Sequence, residues 1–202
     1  MNFLIFASFP IFCLVFSYAL HNAKRKESDI DREFWDREQR ANFTRKKSLD
    51  DLDFITIPDD LLTMAPEITN EEIAGCLKDL NDLSPLKIVN LTGYTNTDLK
   101  LKYGTANITI LSEYDFHYTK LATLLQKLAE LLHDNLEDEL AVKVLEFAIS
   151  TGTDVSKSYY LLAELYKQMD TPEKIRPLIT QAQKLNTLMR NTIVENLQAA
   201  CR

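Results

Sequence analysis

Two stretches, LAELLHDNLEDELAVKVLEFA at residues 128–148 and LAELYKQMDTPEKIRPLITQA at residues 162–182, repeat one another 34 residues apart. Their shared apolar and small positions are Leu128/Leu162, Ala129/Ala163, Leu132/Tyr166, Ala141/Ile175, Leu145/Ile179 and Ala148/Ala182. Apolar residues three or four positions apart indicate amphipathic helices, and a repeat of this length is typical of stacked helical hairpins. With only four glycines and six prolines in the chain, we predict an all-α protein.

The flanking residues predict where the helices of the repeat begin and end. Asn135 and Asp154 are expected to be N-caps, and Gly152 is expected to stop the helix before it. Pro177 falls inside a predicted helix, where it removes a backbone hydrogen bond and should bend the helix. The predicted helices cover 115–133, 136–150, 155–168, a segment after Thr171-Pro172, and a closing helix over 190–201.

At the twelve repeated positions the sequence resembles the tetratricopeptide repeat family. Small residues let the two helices of a hairpin approach closely, and large ones fill the gap to the next hairpin. The pattern departs from the family at Leu132, where an aromatic residue is usual, at Ile175, where a small one is usual, and at Pro177. An ordinary helical bundle with the same spacing is the alternative.

The resemblance implies a concave groove, lined by the first helix of each hairpin, that binds a protein or peptide. The matching positions are Thr123, Gln126, Glu130, His133, Lys157, Tyr160, Glu164 and Lys167. Some family members clamp a terminal carboxylate with basic and amide side chains, but this groove carries Glu130 and Glu164. A basic or mixed partner is therefore expected, and eight simply solvated helix positions are the alternative.

The N-terminal part of the chain predicts a single-pass membrane anchor over residues 1–23. Residues 3–20 carry no charge and would form a helix about 27 Å long, enough to cross a bilayer core. The basic cluster Lys24, Arg25 and Lys26 follows this segment, so the positive-inside rule places the rest of the chain in the cytoplasm, at the cell membrane.

A cleaved signal peptide is the competing interpretation. Ser17-Tyr18-Ala19 has small residues at a spacing that suits signal peptidase, although no Lys or Arg precedes the apolar segment. In that case the protein would be exported and soluble, with a hydrolase as one candidate activity.

The charged segment 24–47 predicts a juxtamembrane helix. Its Phe34 and Trp35, with the basic cluster Lys24, Arg25 and Lys26, are candidates for contact with lipid headgroups. Residues 48–114 are predicted to be a connecting region. Within it, residues 86–114 favour short helices over a hairpin, because a lone hairpin would lack partner strands.

Composition and motifs argue against several classes of function. Residues 24–47 carry a net charge of +3 and residues 48–202 a net charge of −10, so we expect no nucleic-acid binding. No phosphate loop or dinucleotide fingerprint occurs, and the three histidines lack zinc-binding spacing. We therefore expect no catalytic residues, no metal and no cofactor, in a protein that is not an enzyme but an adaptor or scaffold.

Overall fold

The computed structural model of the chain is all-α, as the sequence predicts. It describes the backbone of residues 3–67 and 70–201, and their side chains except at 3–11, 23 and 26–28. Within these residues the β-structure is limited to one isolated antiparallel bridge between Phe54 and Val89. The described α-helices are α1 Phe3–Asn42, α2 Asp59–Leu62, α3 Glu71–Leu83, α4 Asn96–Tyr103, α5 Ile108–Asp134, α6 Asp138–Ser150, α7 Ser156–Gln168, α8 Ile175–Gln183 and α9 Arg190–Ala200.

The chain forms two compact units. The first unit contains the residues up to Lys47 together with Thr95–Ile108, and the second contains Ser48–Tyr94 and the residues from Thr109 onwards. The first unit thus extends to Lys47, whereas the helix that the sequence predicts up to residue 47 ends at Asn42. Residues 95–108, which the sequence assigns to a connecting region, belong with the first unit.

In the first unit, the end of α1 packs against α4. Ala41 of α1 and Leu99 and Tyr103 of α4 are buried. Gly104 ends α4 with a φ of 90°, and a Cβ at this position would overlap the backbone of Arg45. Only glycine fits such a site, because L-residues with side chains rarely adopt this conformation.

Charged side chains add a second layer to the α1–α4 contact. Arg37 pairs with Asp98 at 2.5 Å, and Lys100 pairs with Glu38, which also accepts a hydrogen bond from the Thr97 hydroxyl at 2.5 Å. The bonds from Lys100 and Thr97 hold the pKa of the Glu38 carboxyl below its usual value. Part of the charge pattern of segment 24–47 is thus satisfied within the protein.

In the second unit, the 34-residue repeat is present in the backbone as well as in the sequence. Leu136 ends α5 with a φ of 64°, and Asp170, 34 residues later, ends α7 with a φ of 56°. Equivalent backbone hydrogen bonds close both turns. In the first, Glu137 N–H donates to Leu132 O at 2.9 Å and Leu136 N–H donates to His133 O at 2.9 Å; in the second, Thr171 N–H donates to Tyr166 O at 2.8 Å and Asp170 N–H donates to Lys167 O at 3.1 Å. Each turn is therefore a Schellman motif, in which these two bonds surround a left-handed residue.

The two predicted side-chain caps are wrong. The N-caps of α6 and α7 are Glu137 and Val155, and neither side chain caps its helix. Asn135 instead donates from its side-chain amide to the Leu131 carbonyl at 2.7 Å, because the chain reverses through Leu136 before α6 begins. The predicted stop at Gly152, which has a φ of 76°, is confirmed.

Pro177 does not interrupt a helix. Thr171-Pro172 starts a 3-10 turn over Pro172–Lys174, and α8 begins only at Ile175. Pro177 therefore lies in the first turn of α8, where a backbone N–H has no partner within the helix in any case. The bend is predicted for an α-helix that begins at Pro172, whereas α8 begins three residues later, at Ile175.

The core of the second unit runs through the repeated positions. All twelve are buried except Ile179, which is half-buried and packs against the same cluster. α6 packs against α7, and α7 packs against α8. Both helices of the second hairpin, α7 and α8, also pack against the closing helix α9. The predicted role of α9 as a cover for the last hairpin agrees with these contacts.

The N-terminal apolar segment is only partly described. Side chains 3–11 of the predicted span 3–20 lie outside the described residues, while the described positions, among them Phe12 and Phe16, are exposed. Among the described residues, no helix combines the length and the apolar character needed to cross a membrane. The anchor thus stays a prediction.

Candidate functional site

All eight predicted groove residues lie on α5 and α7, the first helices of the two hairpins. They do not line one open groove. The structure places some of them in a closed contact between these helices, some in a cleft beside α9, one at a hairpin turn and one in a cleft beside α3.

A series of side-chain contacts joins α5 to α7. The buried Ser158 hydroxyl donates to the side-chain oxygen of Gln126 at 2.5 Å, and the Gln126 amide donates to Glu130 at 2.9 Å. Lys157 then reaches Glu130 at 3.5 Å. Gln126 and Glu130 thus hold the two hairpins together, since Gln126 is buried and has a partner at each end of its amide.

The second half of the predicted groove forms a cleft with α9. Tyr160, Glu164 and Lys167 line it from the α7 side, and Asn196 and Leu197 line it from α9, around a volume of about 280 Å³. Asn196 donates to the Tyr160 hydroxyl at 3.1 Å. α9 therefore occupies part of the surface that the resemblance assigns to a partner.

His133 lies at the end of α5 and takes part in the hairpin turn. Its Nδ1 is 2.6 Å from a carboxylate oxygen of Asp138 in the first turn of α6. This contact joins two helices of one hairpin. His133 and Asp138 are both only partly exposed, so His133 contributes to the turn rather than to an open surface.

A second cleft lies between α3 and α5, and we call it the α3–α5 cleft. It encloses about 580 Å³ and is lined by Asp79, Asp82, Leu83, Leu86, Thr119, Lys120, Thr123, Leu124 and Lys127. Leu83 is buried, Leu124 is half-buried and Leu86 is 42% exposed. These leucines give the cleft an apolar floor that remains open to solvent.

The two sides of the α3–α5 cleft carry opposite charge. Exposed Asp79 and Asp82 project from α3, and exposed Lys120 and Lys127 project from α5. The Lys120 ammonium lies 4.5 Å from the centre of the Phe116 ring, a cation–π contact. A ligand in the cleft would therefore meet an acidic edge and a basic edge on opposite sides of an apolar strip.

Of the predicted groove residues, only Thr123 lines the α3–α5 cleft, and its hydroxyl donates to the Thr119 carbonyl at 2.8 Å. Sequence reasoning missed the cleft because α3 has no counterpart in the 34-residue repeat. One signal was present: Leu124 does not belong to the repeated core positions, yet it precedes the first of them, Leu128, by one helical turn.

Burial lowers the reactivity of one cysteine and two tyrosines of the second unit. Cys76 is buried, and burial raises the pKa of its thiol, with Lys127 acting weakly in the opposite direction. Burial likewise raises the pKa values of the Tyr159 and Tyr166 hydroxyls, which donate to Thr153 O and to Glu146. Among the described residues, no group of three His, Cys, Asp or Glu side chains is arranged to hold a metal ion.

The predicted membrane-interface residues all lie on α1. Lys24 and Arg25 are exposed, and the Lys26 side chain is outside the described residues. Phe34 and Trp35 are 55% and 65% exposed, and their rings meet edge to face at 5.4 Å. Two large aromatic residues thus remain in solvent beside the covered end of the helix.

Comparison with known proteins finds no similarity: no family model, no curated protein and no solved structure matches this chain.

Proposed function

We propose that this chain is a membrane-attached adaptor whose hairpin stack, tetratricopeptide-like in its pattern, binds a protein partner. The α3–α5 cleft carries the proposal, because it joins an open apolar floor to two edges of opposite charge. Apolar contact in such a cleft supplies binding free energy, while charged edges select and orient the partner. Recognition of this kind needs no reactive group.

The partner that suits the cleft is an amphipathic helix. Its apolar face would cover Leu86 and Leu124, which are the leucines of the floor that remain accessible. Basic residues along one edge of that helix would face Asp79 and Asp82, and acidic residues along the other edge would face the lysines of α5. An amphipathic helix in an apolar groove is a common mode of recognition.

The acidic groove predicted on α5 and α7 has a supporting role in this proposal. Glu130 already accepts from Gln126 and lies near Lys157, and Glu164 accepts a long bond from Gln168 at 3.4 Å. Glu130 thereby links the first helices of the two hairpins, whereas Glu164 is bonded within α7. We therefore assign the partner to α3 and α5.

Membrane attachment is proposed through residues 3–20, followed by Lys24 and Arg25 at the headgroups. α1 is continuous to Asn42, so Trp35 lies about 22 Å along the helix from Leu20. The headgroup layer is only about 5–8 Å thick on each side, so even a tilted helix carries Trp35 beyond it. Phe34 and Trp35 are thus assigned to a surface above the lipid, which revises the expectation from sequence.

Attachment gives the adaptor its effect, because tethering raises the local concentration of a bound partner at the membrane. The basic cluster after the apolar segment supports a cytoplasmic location for the remainder of the chain. Flotation of the full-length protein with liposomes, resistance of that binding to alkaline carbonate, and the mass of its N-terminus test this part. A mature chain that begins at Leu20 would support export instead.

Binding in the cleft is tested by charge reversal. A variant with Asp79→Lys and Asp82→Lys should lose a partner that the wild-type protein captures, since the acidic edge becomes basic. The matched control is Glu173→Lys with Glu195→Lys, which makes the same charge change at exposed positions outside the cleft. If both variants keep or both lose the partner, the cleft is not the binding site.

A further inference from the structure

Three loops of the second unit meet around two neighbouring cavities. The loops are residues 90–94, the turn from α6 to α7 at 151–155, and the segment from α8 to α9 at 184–189. The smaller cavity encloses about 240 Å³ and the larger about 420 Å³, and both are lined by Thr92, Asn186 and Thr187. Because they share these residues, we treat them as one site and call it the three-loop cleft.

Asparagine side chains fix the walls of the three-loop cleft. The side-chain amide of Asn90 donates to Thr151 O at 2.9 Å and to Gly152 O at 3.0 Å. Asn186 donates to Gly93 O at 3.4 Å, and a Cβ at Gly93 would lie only 2.5 Å from the carbonyl oxygen of Asn186. The three loops are therefore held to one another within the folded chain, and a ligand would not have to order them.

The smaller cavity carries a positive charge in an acidic part of the chain. Residues 48–202 have a net charge of −10, yet of the described residues that line this cavity Lys184 alone is charged. Lys184 is exposed, and no carboxylate of the described residues pairs with it. Gln181 and Asn186 line the same cavity with side-chain amides. A free ammonium group beside neutral donors suits a ligand with negatively charged oxygens.

Thr187 provides a second, independent observation. It lines both cavities, and its hydroxyl oxygen is buried without a hydrogen-bond partner among the described residues. Buried hydroxyl groups in folded proteins nearly always have a partner, so such a group requires an explanation. A ligand in the three-loop cleft would explain it by completing the bonding at this wall.

We propose that the three-loop cleft binds a small polar organic anion, a carboxylate or a phosphate ester, with its charged group at Lys184. Pockets for drug-sized ligands usually enclose about 300–1,000 Å³, so a cavity of about 240 Å³ suits a small metabolite. The cleft shares no lining residue with the α3–α5 cleft. Ligand binding here and partner binding there can therefore succeed or fail separately.

The four glycines of the chain give a direct readout in the full-length protein. Gly152 lines the smaller cavity and Gly93 the larger, whereas Gly75 lies on α3 and Gly104 in the first unit. Protein labelled with ¹⁵N-glycine is titrated by NMR with glycerol 3-phosphate, with glycerate and with glycerol, at constant ionic strength. We expect one or both anions to shift the Gly93 and Gly152 signals to saturation and to leave the other two in place.

The three probes differ only in the group that Lys184 would meet, so the anion that binds more tightly identifies that group. Glycerol has no charge and should leave all four signals unchanged. Equal shifts with glycerol, or no saturable shift with either anion, would overturn the proposal.

Variants separate a specific site from general attraction to positive charge. Lys184→Gln should weaken binding of the anion at least fivefold, whereas Lys143→Gln, which removes the same charge from an exposed position on α6, should leave it unchanged. Thr187→Val should weaken binding at least twofold without lowering the midpoint of thermal unfolding, because the hydroxyl has no partner in the fold. Equal weakening by both lysine variants, or a Thr187→Val variant that loses stability but keeps its affinity, would contradict the site.

Discussion

Replacement of Leu136 by glycine should stabilise the protein, although it removes a large apolar side chain. Leu136 has a φ of 64° and is 86% exposed at the turn between α5 and α6. A side chain in this left-handed conformation clashes with its own backbone, whereas glycine adopts it freely. Because the Leu136 side chain buries so little surface, its loss costs little packing.

The size of the effect follows from two opposing terms. The left-handed conformation costs a residue with a Cβ about 1–2 kcal/mol. Glycine offsets about 0.5–1 kcal/mol of this gain, because its greater conformational freedom stabilises the unfolded chain. The expected net gain for Leu136→Gly is therefore about 0.5–1 kcal/mol. Asp170 occupies the equivalent turn 34 residues later. Because aspartate tolerates the left-handed conformation better than leucine, Asp170→Gly should raise the free energy of unfolding by less than Leu136→Gly.

Urea unfolding followed by circular dichroism measures both changes in the same protein background. A gain of this size moves the unfolding midpoint of Leu136→Gly upwards by roughly 0.25–0.5 M if the slope stays near 2 kcal/mol per molar urea. Loss of stability in Leu136→Gly, or a smaller gain than in Asp170→Gly, would refute the assignment of strain to the first turn.

Three further changes test other parts of the structure. Gly104→Ala should destabilise the first unit by about 2 kcal/mol or more, measured by thermal unfolding, because it combines a left-handed conformation with overlap of a neighbouring backbone. Ser158→Ala should cost about 1–3 kcal/mol in urea unfolding, because it leaves the buried side-chain oxygen of Gln126 without its donor, and adding Gln126→Leu should recover part of the loss. The Thr95 hydroxyl holds the pKa of Asp98 below its unfolded value, so the associated stability is present above that value and is lost as pH falls through the folded pKa. Acid titration followed by NMR of the Asp98 carboxyl should therefore show a lowered pKa that returns towards normal in Thr95→Ala.

The hairpin stack was predictable because its information is local and repeated. Leu128 and Leu162 head two segments with the same helical spacing, and the positions they define form the core. The turns were harder to predict, since a Schellman motif usually has glycine where this chain has Leu136 and Asp170. Without that glycine, the sequence predicts Asn135 as a cap.

The first unit could not be derived from local patterns. α4 joins α1 through pairs about 60 residues apart, such as Arg37 with Asp98 and Lys100 with Glu38. A charged segment with both signs reads as a solvated helix when its partner is unknown. Gly104 ends α4, and its close approach to the backbone of Arg45 depends on the fold.

The candidate site shows the same limit. The family resemblance predicts a groove on α5 and α7, but a hydrogen bond from Ser158 to Gln126 joins these two helices. The open apolar surface is formed instead by α3 and α5, which are distant in sequence and share no repeat. Periodicity predicts which face of a helix is buried, but not which neighbour leaves a gap beside it.

Site-specific photo-cross-linking tests the proposed partner site most directly. A photoreactive amino acid replaces Lys120, at the edge of the α3–α5 cleft, or Thr180, an exposed position on α8, and cells are irradiated. We predict one adduct of defined mass from position 120, which disappears with Asp79→Lys and Asp82→Lys, and no such adduct from position 180. The same adduct from both positions, or none from position 120, would contradict a partner bound in the cleft.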